Sequence, residues 1–333
     1  MKKMFILWIA MLLSSMAFSQ VSTWDGTHEP WTHGTGTEAD PFLIENAQQL
    51  AYLAYRVNNG LDAGGGHVSN HDYHYKLMVD VDLNGSETFQ WTPIGYRNSD
   101  ADYQYFGGCF NGNGHVVTGL FIYVDTGISS NHFGFFGMTS SATIENLGVY
   151  GFINNAASSG PRNAGGIIGA ASHTLVRNCY NFVNASAYAT CGGIIGYILS
   201  GTINIINCYN MGNISAGDSG GIIGGVYYNT NVLVKNCYNT GEINGQWSGG
   251  IIGYCWELAN VTNSYYLNTY GSNQYGGEPK TESYMKSYEF VDLLNDGTCA
   301  WELVIVKSLL FGQVQLQRLQ IFIGTYFMMV GTQ

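Results

Sequence analysis

The sequence predicts an all-β chain wound into a right-handed parallel β-helix, a solenoid with short capping helices. Three observations predict it. Gly-Gly-Ile-Ile-Gly occurs at 165–169, 192–196, 220–224 and 249–253, spaced by 27, 28 and 29 residues. Asn-Cys-Tyr-Asn falls between these copies at 178–181, 207–210 and 236–239, with Asn263-Ser264-Tyr265-Tyr266 as a degenerate fourth copy. The composition, 45 Gly and 24 Tyr with only 11% charged residues, suits tightly turning β-structure. Propeller blades need roughly 40 residues and helical repeats about 33, and the spaced leucines of a leucine-rich repeat are missing. One β-helix coil per repeat fits, each short strand pairing with its equivalents above and below at about 4.8 Å.

In chain order, residues 1–19 read as a secretory signal peptide. Lys2 and Lys3 precede an apolar run from Met4 to about Leu13, and Ala17-Phe18-Ser19 supplies small residues before a cleavage near Ser19/Gln20. No other stretch of about 18 apolar residues exists, so the mature chain is expected to lack a transmembrane helix and to be secreted or held at the outer cell surface. Residues 20–150 read as an N-terminal cap and the first coils. Within them Leu50, Leu53, Ala54 and Val57 recur at helical spacing between Gln48 and Asn59 and stop at Gly60. Such a helix would cover the unpaired strand edges that an open solenoid end presents.

Residues 151–277 hold the repeats. The pairs Ile167/Ile168, Ile194/Ile195, Ile222/Ile223 and Ile251/Ile252 should stack as columns, at least one of them inward, with glycine at corners that need positive φ or close backbone approach. Strict alternation would put Cys179 on the outer face with Arg177, whose register Lys235 shares. A bend at the preceding Asn, its side chains stacked as a ladder between coils, would turn Cys179, Cys208 and Cys237 inward. That column lies within disulfide reach. A line of ligands does not surround a metal, so packing is the expected role.

Residues 278–301 offer a second helical face in Met285, Phe290, Leu293 and Leu294, stopped by Asn295-Asp296-Gly297. Residues 302–333 contain no Asp, Glu or Asn after Glu302 and show no repeat. They read either as a strand-rich final module or, preferred, as the product of a reading-frame shift, and no defined packing is expected of residues 303–333.

Several strings invite a catalytic reading. Gly-Asp-Ser-Gly-Gly around Ser219 matches the nucleophile segment of trypsin-like serine proteases. The repeat gives it a register instead: Ala164, Cys191 and Ser248 are its equivalents, and Asp218 has no acidic counterpart. A triad also needs a positioned His and a buried Asp, and the nearest upstream candidate, His173, sits in a variable turn. An exposed solenoid turn is the expected setting of Ser219. His28 and His33 are five residues apart with Pro30 between them, which does not fit the helical zinc-protease motif. His67, His71, Asp72 and His74 cluster in a polar loop that a transition metal could use, although a solvated insertion is the commoner case. Asp80/Asp82 and Asp100/Asp102 are the carboxylate pairs that glycoside or polysaccharide chemistry could use. From 151 to 266 the acids are only Asp218, Glu242 and Glu257, in unrelated registers.

Gly-Gly-Ile-Ile-Gly followed by Asn-Cys-Tyr-Asn-Thr-Gly resembles the GLUG repeat of bacterial surface and secreted proteins, adhesin-like chains and some immunoglobulin A peptidases, with Ile at the Leu position. Residues 34–60, 75–83, 91–95 and 106–122 look like the usual lead-in to such arrays, and 280–297 resembles the helix that often follows them. The resemblance covers about residues 34–301. It implies a parallel β-helix displayed outside a bacterial cell and no particular activity; the peptidase part of the immunoglobulin A enzymes has no counterpart here. The expected function is therefore a non-catalytic secreted or cell-surface β-solenoid contributing to adhesion or surface structure. Its expected partners are host or cell-surface glycans or glycoproteins, and it needs no cofactor or metal. A carbohydrate-active β-helix enzyme, a lyase or hydrolase using Asp80/Asp82, is the alternative. A passive spacer for a lost C-terminal module is the third reading. The net charge of −11 disfavours nucleic acid. Seven cysteines in an exported chain could form disulfides, the odd count leaving at least one unpaired.

Overall fold

The structure, a computed structural model, describes residues 21–61, 73–99, 102–124, 132–155, 163–227, 230–256, 259–268, 272, 274–295, 301–304 and 328–331. The signal segment 1–19 lies outside the described residues, as do His67, His71, Asp72, Asp100, Glu257 and Cys299.

A representative coil runs through the strands Leu175–Arg177, Tyr180–Ala187, Thr190–Gly192 and Ile195–Ile206. Each pairs in parallel with its equivalent in the next coil. Gly165, Gly192, Gly220 and Gly249 stand in one register column, and Ile168, Ile195, Ile223 and Ile252 in another. Both isoleucines of every copy are buried. The parallel ladder reaches back without a break through Thr143–Glu145, Cys109–Asn111 and His74–Leu77 to Phe42–Ile44. The lead-in and the repeats are thus one β-solenoid of about 6 turns. Its earlier coils are filled by Phe106, Phe110, Phe135 and Phe136, its later ones by Ile, Val and Cys.

Asparagine, not glycine, makes the positive-φ corner that precedes the cysteines. Asn146, Asn178, Asn207, Asn236 and Asn263 have φ of 55, 54, 55, 55 and 46°, a left-handed conformation that Asn tolerates better than other side-chain-bearing residues. Their amides form the ladder: Asn178 donates to Asn146 at 3.0 Å, Asn207 to Asn178 at 3.1 Å, Asn236 to Asn207 at 3.1 Å and Asn263 to Asn236 at 2.8 Å. The bend resets the alternation, so Cys179, Cys208 and Cys237 are fully buried while Arg177 stays exposed.

The glycines of Gly-Gly-Ile-Ile-Gly serve close approach, which corrects the positive-φ part of their expected role: none of them is in the left-handed region. A Cβ on Gly220 would lie 1.8 Å from Ile223 O, and one on Gly192 2.0 Å from Ile195 O. A Cβ on the second glycine, Gly193, would lie 2.4 Å from Asn210 Cγ. That asparagine belongs to a second, wholly buried ladder. Asn181 donates to Asn210, and Asn210 to Asn239, both at 2.7 Å. The two sequence motifs are therefore complementary halves of one packing contact.

Helix α1 (Ala47–Asn58) caps the first coils as its periodicity predicts. Asn46 accepts from Gln49 N–H at 2.8 Å, and Leu50, Leu53, Ala54 and Val57 enter the core. The C-terminal helical face is broken in two, α2 (Glu282–Met285) and α3 (Tyr288–Asn295). Ser287 starts the second by accepting from Phe290 N–H at 3.3 Å. These helices lie against the flank of the solenoid, over an outer column of tyrosines stacked at 5.1 Å (Tyr180–Tyr209) and 4.9 Å (Tyr209–Tyr238). Phe290 meets Tyr238 and Tyr265 edge-on. At the last coil Tyr266 stands where earlier coils have Asn239 and Asn210, and its ring lies over Gly250. Gly250 N–H bonds Ser272 O at 2.9 Å there, and Ser272 Oγ donates to Ser248 O at 2.8 Å. Of the tail, Trp301–Val304 pairs antiparallel with Met328–Gly331; residues 305–327 lie outside the described residues.

Candidate functional site

Ser219 takes the predicted register, in line with Ala164, Cys191 and Ser248. It is not on an exposed turn. It is fully buried, and its hydroxyl donates to Asn244 O at 2.7 Å. His173 occupies a different turn, with φ of 46° and its N–H bonded to Ser200 O. Among the described residues no hydrogen bond joins it to Ser219.

The other candidates are likewise separated or already engaged. His28 stacks on Tyr55 at 4.2 Å, whereas His33 pairs with Glu45 at 2.8 Å. His74 lies in a strand in register with Cys109. Among the described residues no group of three potential metal ligands exists. Asp80 is buried, accepting from Val116 N–H at 3.1 Å and facing His115 Nδ1 at 3.1 Å. Asp82 accepts from Asn84 N–H at 2.9 Å. Cys109, Cys179, Cys191, Cys208, Cys237 and Cys255 are free thiols. Burial pushes the Cys191 thiol up to about 12 and holds Cys179 and Cys237 well above the usual thiol range.

What the fold does assemble is a lateral aromatic strip across three successive coils. Two register columns build it. One is Asn163–Thr190–Asp218–Trp247, next to the buried Ser219 column; Asn163 and Thr190 are buried, Asp218 is half-buried and Trp247 is exposed. The other is Ala170–Tyr197–Gly225–Tyr254, just after the Gly-Gly-Ile-Ile-Gly corner. The columns touch: a Cβ on Gly225 would lie 3.0 Å from Thr190 Cγ2 and 3.3 Å from Tyr227 Cε2. The missing side chain lets Tyr227 lie between the other rings, 5.0 Å from Tyr197 and 6.1 Å from Tyr254. Tyr254 in turn meets Trp247, Trp256 and Tyr275 edge to face, at 6.1, 5.6 and 5.8 Å. Trp247 is 47% and Trp256 49% exposed, so much of both rings is open to solvent.

Asp218 sits half-buried among these rings, and its side chain makes no hydrogen bond to the described residues. Thr190, the neighbour in its column, donates instead to Asn163 at 2.8 Å. Burial pushes the Asp218 carboxyl up from 3.8 to about 6, since removing water penalises the charged form. Burial, followed by the charge of Asp218, raises Tyr227 as well. The arrangement offers apolar ring faces beside a carboxylate with free acceptor positions. Among the described residues it offers no second carboxylate in either column, as paired-acid glycoside hydrolysis would need. Sequence reasoning missed the strip. Its one signal was aromatic residues one or three places after the corner motif, at Tyr197, Tyr227, Tyr254 and Trp256.

No family model matches the chain. A solved structure from Bacteroides ovatus, provisionally named an immunoglobulin A1 protease, is similar with a TM-score of 0.53, 19% identity, and coverage of 82% of this chain and 92% of that one. That likeness shows the fold alone. A protein of Evansella cellulosilytica, provisionally named a Gly-rich membrane protein, is 34% identical over 122 residues. The match covers 35% of this chain and only 12% of that protein's length. Among the described residues no helix is long and apolar enough to cross a membrane.

Proposed function

We propose that the chain is a non-catalytic β-solenoid of the GLUG-repeat kind, exported from a bacterial cell, that holds surface material through its lateral aromatic strip. The observation that carries this reading is the strip itself. Trp247 and Trp256 are each about half exposed; the register of its strand fixes Trp247, and an N–H bond to Val226 O at 3.1 Å holds the backbone of Trp256. Exposed aromatic clusters of this kind mark interaction surfaces rather than packing, because water would otherwise be excluded from them in the fold. The amino-terminal segment Met1–Ser19 supports export. Binding is favoured over turnover because Asp80 is held by His115 and Val116, and Asp218 lacks a carboxylate partner in its columns.

The test is retention of purified residues 20–333 on immobilised host glycoproteins and cell-wall glycans, beside a hydrolysis assay on the same polymers. Retention without release of reducing ends or unsaturated products supports the proposal. Saturable turnover would replace it with the enzyme reading, and failure to bind any of these surfaces with the spacer.

A further inference from the structure

We infer that Asp218 receives a lysine or arginine side chain from a basic protein partner that docks on the strip. This rests on the binding reading above and names the partner that the same face would take. The carboxylate is passed over by everything around it. Thr190, next to it in its column, spends its hydroxyl on Asn163 at 2.8 Å. Gly225, the position across the corner in the same coil, has no side chain to offer. Burial and, among the lesser causes, the Asp218 charge push up Tyr227 and Tyr275, so both phenols lie near it. Neither of them, nor Trp247 on the next rung, donates a hydrogen bond to it, and no lysine or arginine among the described residues pairs with it. A half-buried charge whose acceptor positions are all unused raises the energy of the free protein.

The donor that relieves it carries positive charge. A hydroxyl would fill the acceptor positions and leave the charge uncompensated where water is partly excluded. An N–H of a cation cancels the charge and makes a bond roughly twice as strong as a neutral one. A quaternary ammonium has the charge and no N–H to give. The Asp218 carboxyl, pushed up to about 6 by burial, is still an anion at pH 7.5. The net charge of −11 draws basic partners to the chain and repels acidic ones.

The surroundings suit a protein. Trp247, 47% exposed, adjoins Asp218 in register. Tyr188, 53% exposed, borders it on the other side, its carbonyl accepting from Gly217 N–H at 3.3 Å. Tryptophan and tyrosine around a partly desolvated charge are the composition of an interface hot spot, where a bulky border keeps water from the central pair. Their bulk does this whichever part of each ring is engaged.

The experiment is surface plasmon resonance of residues 20–333 at pH 7.5 and physiological ionic strength on immobilised poly-L-lysine and poly-L-arginine. Poly-Nε-acetyl-lysine, poly-L-glutamate and the neutral glucan laminarin serve as the other surfaces. Binding is expected on the two cationic polypeptides and on none of the others. Asp218→Asn should weaken it about tenfold or more. Asp292→Asn removes the same charge from an exposed position on α3 and should change it by less than about twofold. Asp218→Asn should melt no lower than the parent protein at pH 7.5, so weaker binding is not unfolding. Equal effects of the two substitutions, equal binding to the acetylated polymer, Asp218-dependent binding to laminarin instead, or binding to no cationic surface would each overturn the assignment. The two readings fail separately. Retention on glycoprotein or glycan surfaces that Asp218→Asn does not reduce removes this subsite and leaves the adhesive solenoid standing. Retention nowhere removes both.

Discussion

At the scale of single residues, asparagine has two jobs in this chain, and substitutions separate them. Asn207 is needed for its backbone, at φ of 55°, and for a half-buried ladder. Asn207→Gly keeps the conformation and should cost about 1 kcal/mol, with Asn207→Ala costing roughly 1 kcal/mol more for a Cβ in left-handed space. Asn210 is needed for its amide. Asn210→Ala strips partners from Asn181, Asn239 and Gly212 N–H in a fully buried setting, and about 3 kcal/mol or more should be lost in urea unfolding. The outer ladder was legible in the sequence, because Arg177 and Lys235 forced a change of phase before the cysteines. The inner ladder was not, because it depends on Asn181 packing against a glycine of the other motif, a contact that neither motif's spacing announces. Asp218 gives a pH signature. Its folded value of about 6 lies above the ordinary 3.8, so the stability linked to its neutral form is complete below pH 3.8 and is lost as pH rises through about 6. Asp218→Asn should therefore raise stability at pH 7.5, by about 1 kcal/mol once solvent screening of a half-exposed group is allowed for, and change little at pH 3.5. Thermal melts at the two pH values check the sign.

Among the elements, the corner motif is the least tolerant part of the coil. Gly220→Ala would drive a Cβ against Ile223 O at 1.8 Å, a backbone atom pinned by its own ladder, so a loss of more than about 3 kcal/mol is expected. Gly217→Ala is the comparison, since its nearest atom, Ala189 O, would stand at 3.1 Å and need give only slightly. The corner's existence could be read from its repetition, but its reason could not: glycine in a sequence does not say whether φ or clearance is wanted. The strip was hidden for a related reason. Its rings come from different offsets around the corner, Trp247 before it and Tyr197, Tyr227 and Tyr254 after it, and only the reversal of the chain brings them together. The cysteine column is a third element with a measurable property. Iodoacetamide at pH 8 should leave Cys179, Cys208 and Cys237, and Cys191 of the Ser219 column, unmodified in the native protein and label all four in urea, because each is fully buried. Mass spectrometry reads the outcome, and a Cys179–Cys208 cross-link would contradict the free thiols.

For the molecule as a whole, the registers make one coil a removable unit. Deleting 193–220 joins Gly192 to Gly221, which already stands in the register of Gly193 one coil further on. The shortened chain should keep its parallel-sheet circular dichroism and melt in a single transition at lower temperature. It should also bind poorly, since Tyr197 and Asp218 leave with the coil. The same interchangeability has a cost during folding. Three successive coils present the same Asn-Cys-Tyr-Asn edge, so a strand arriving one rung out of place meets nearly the contacts it would meet at home. The repeats alone carry no address. The unrepeated aromatic block at Phe106, Phe110, Phe135 and Phe136 supplies a first rung that cannot be mistaken for another, and Tyr266 a last one that accepts no further asparagine. Assembly that counts from either of these two ends gives each coil a single correct neighbour.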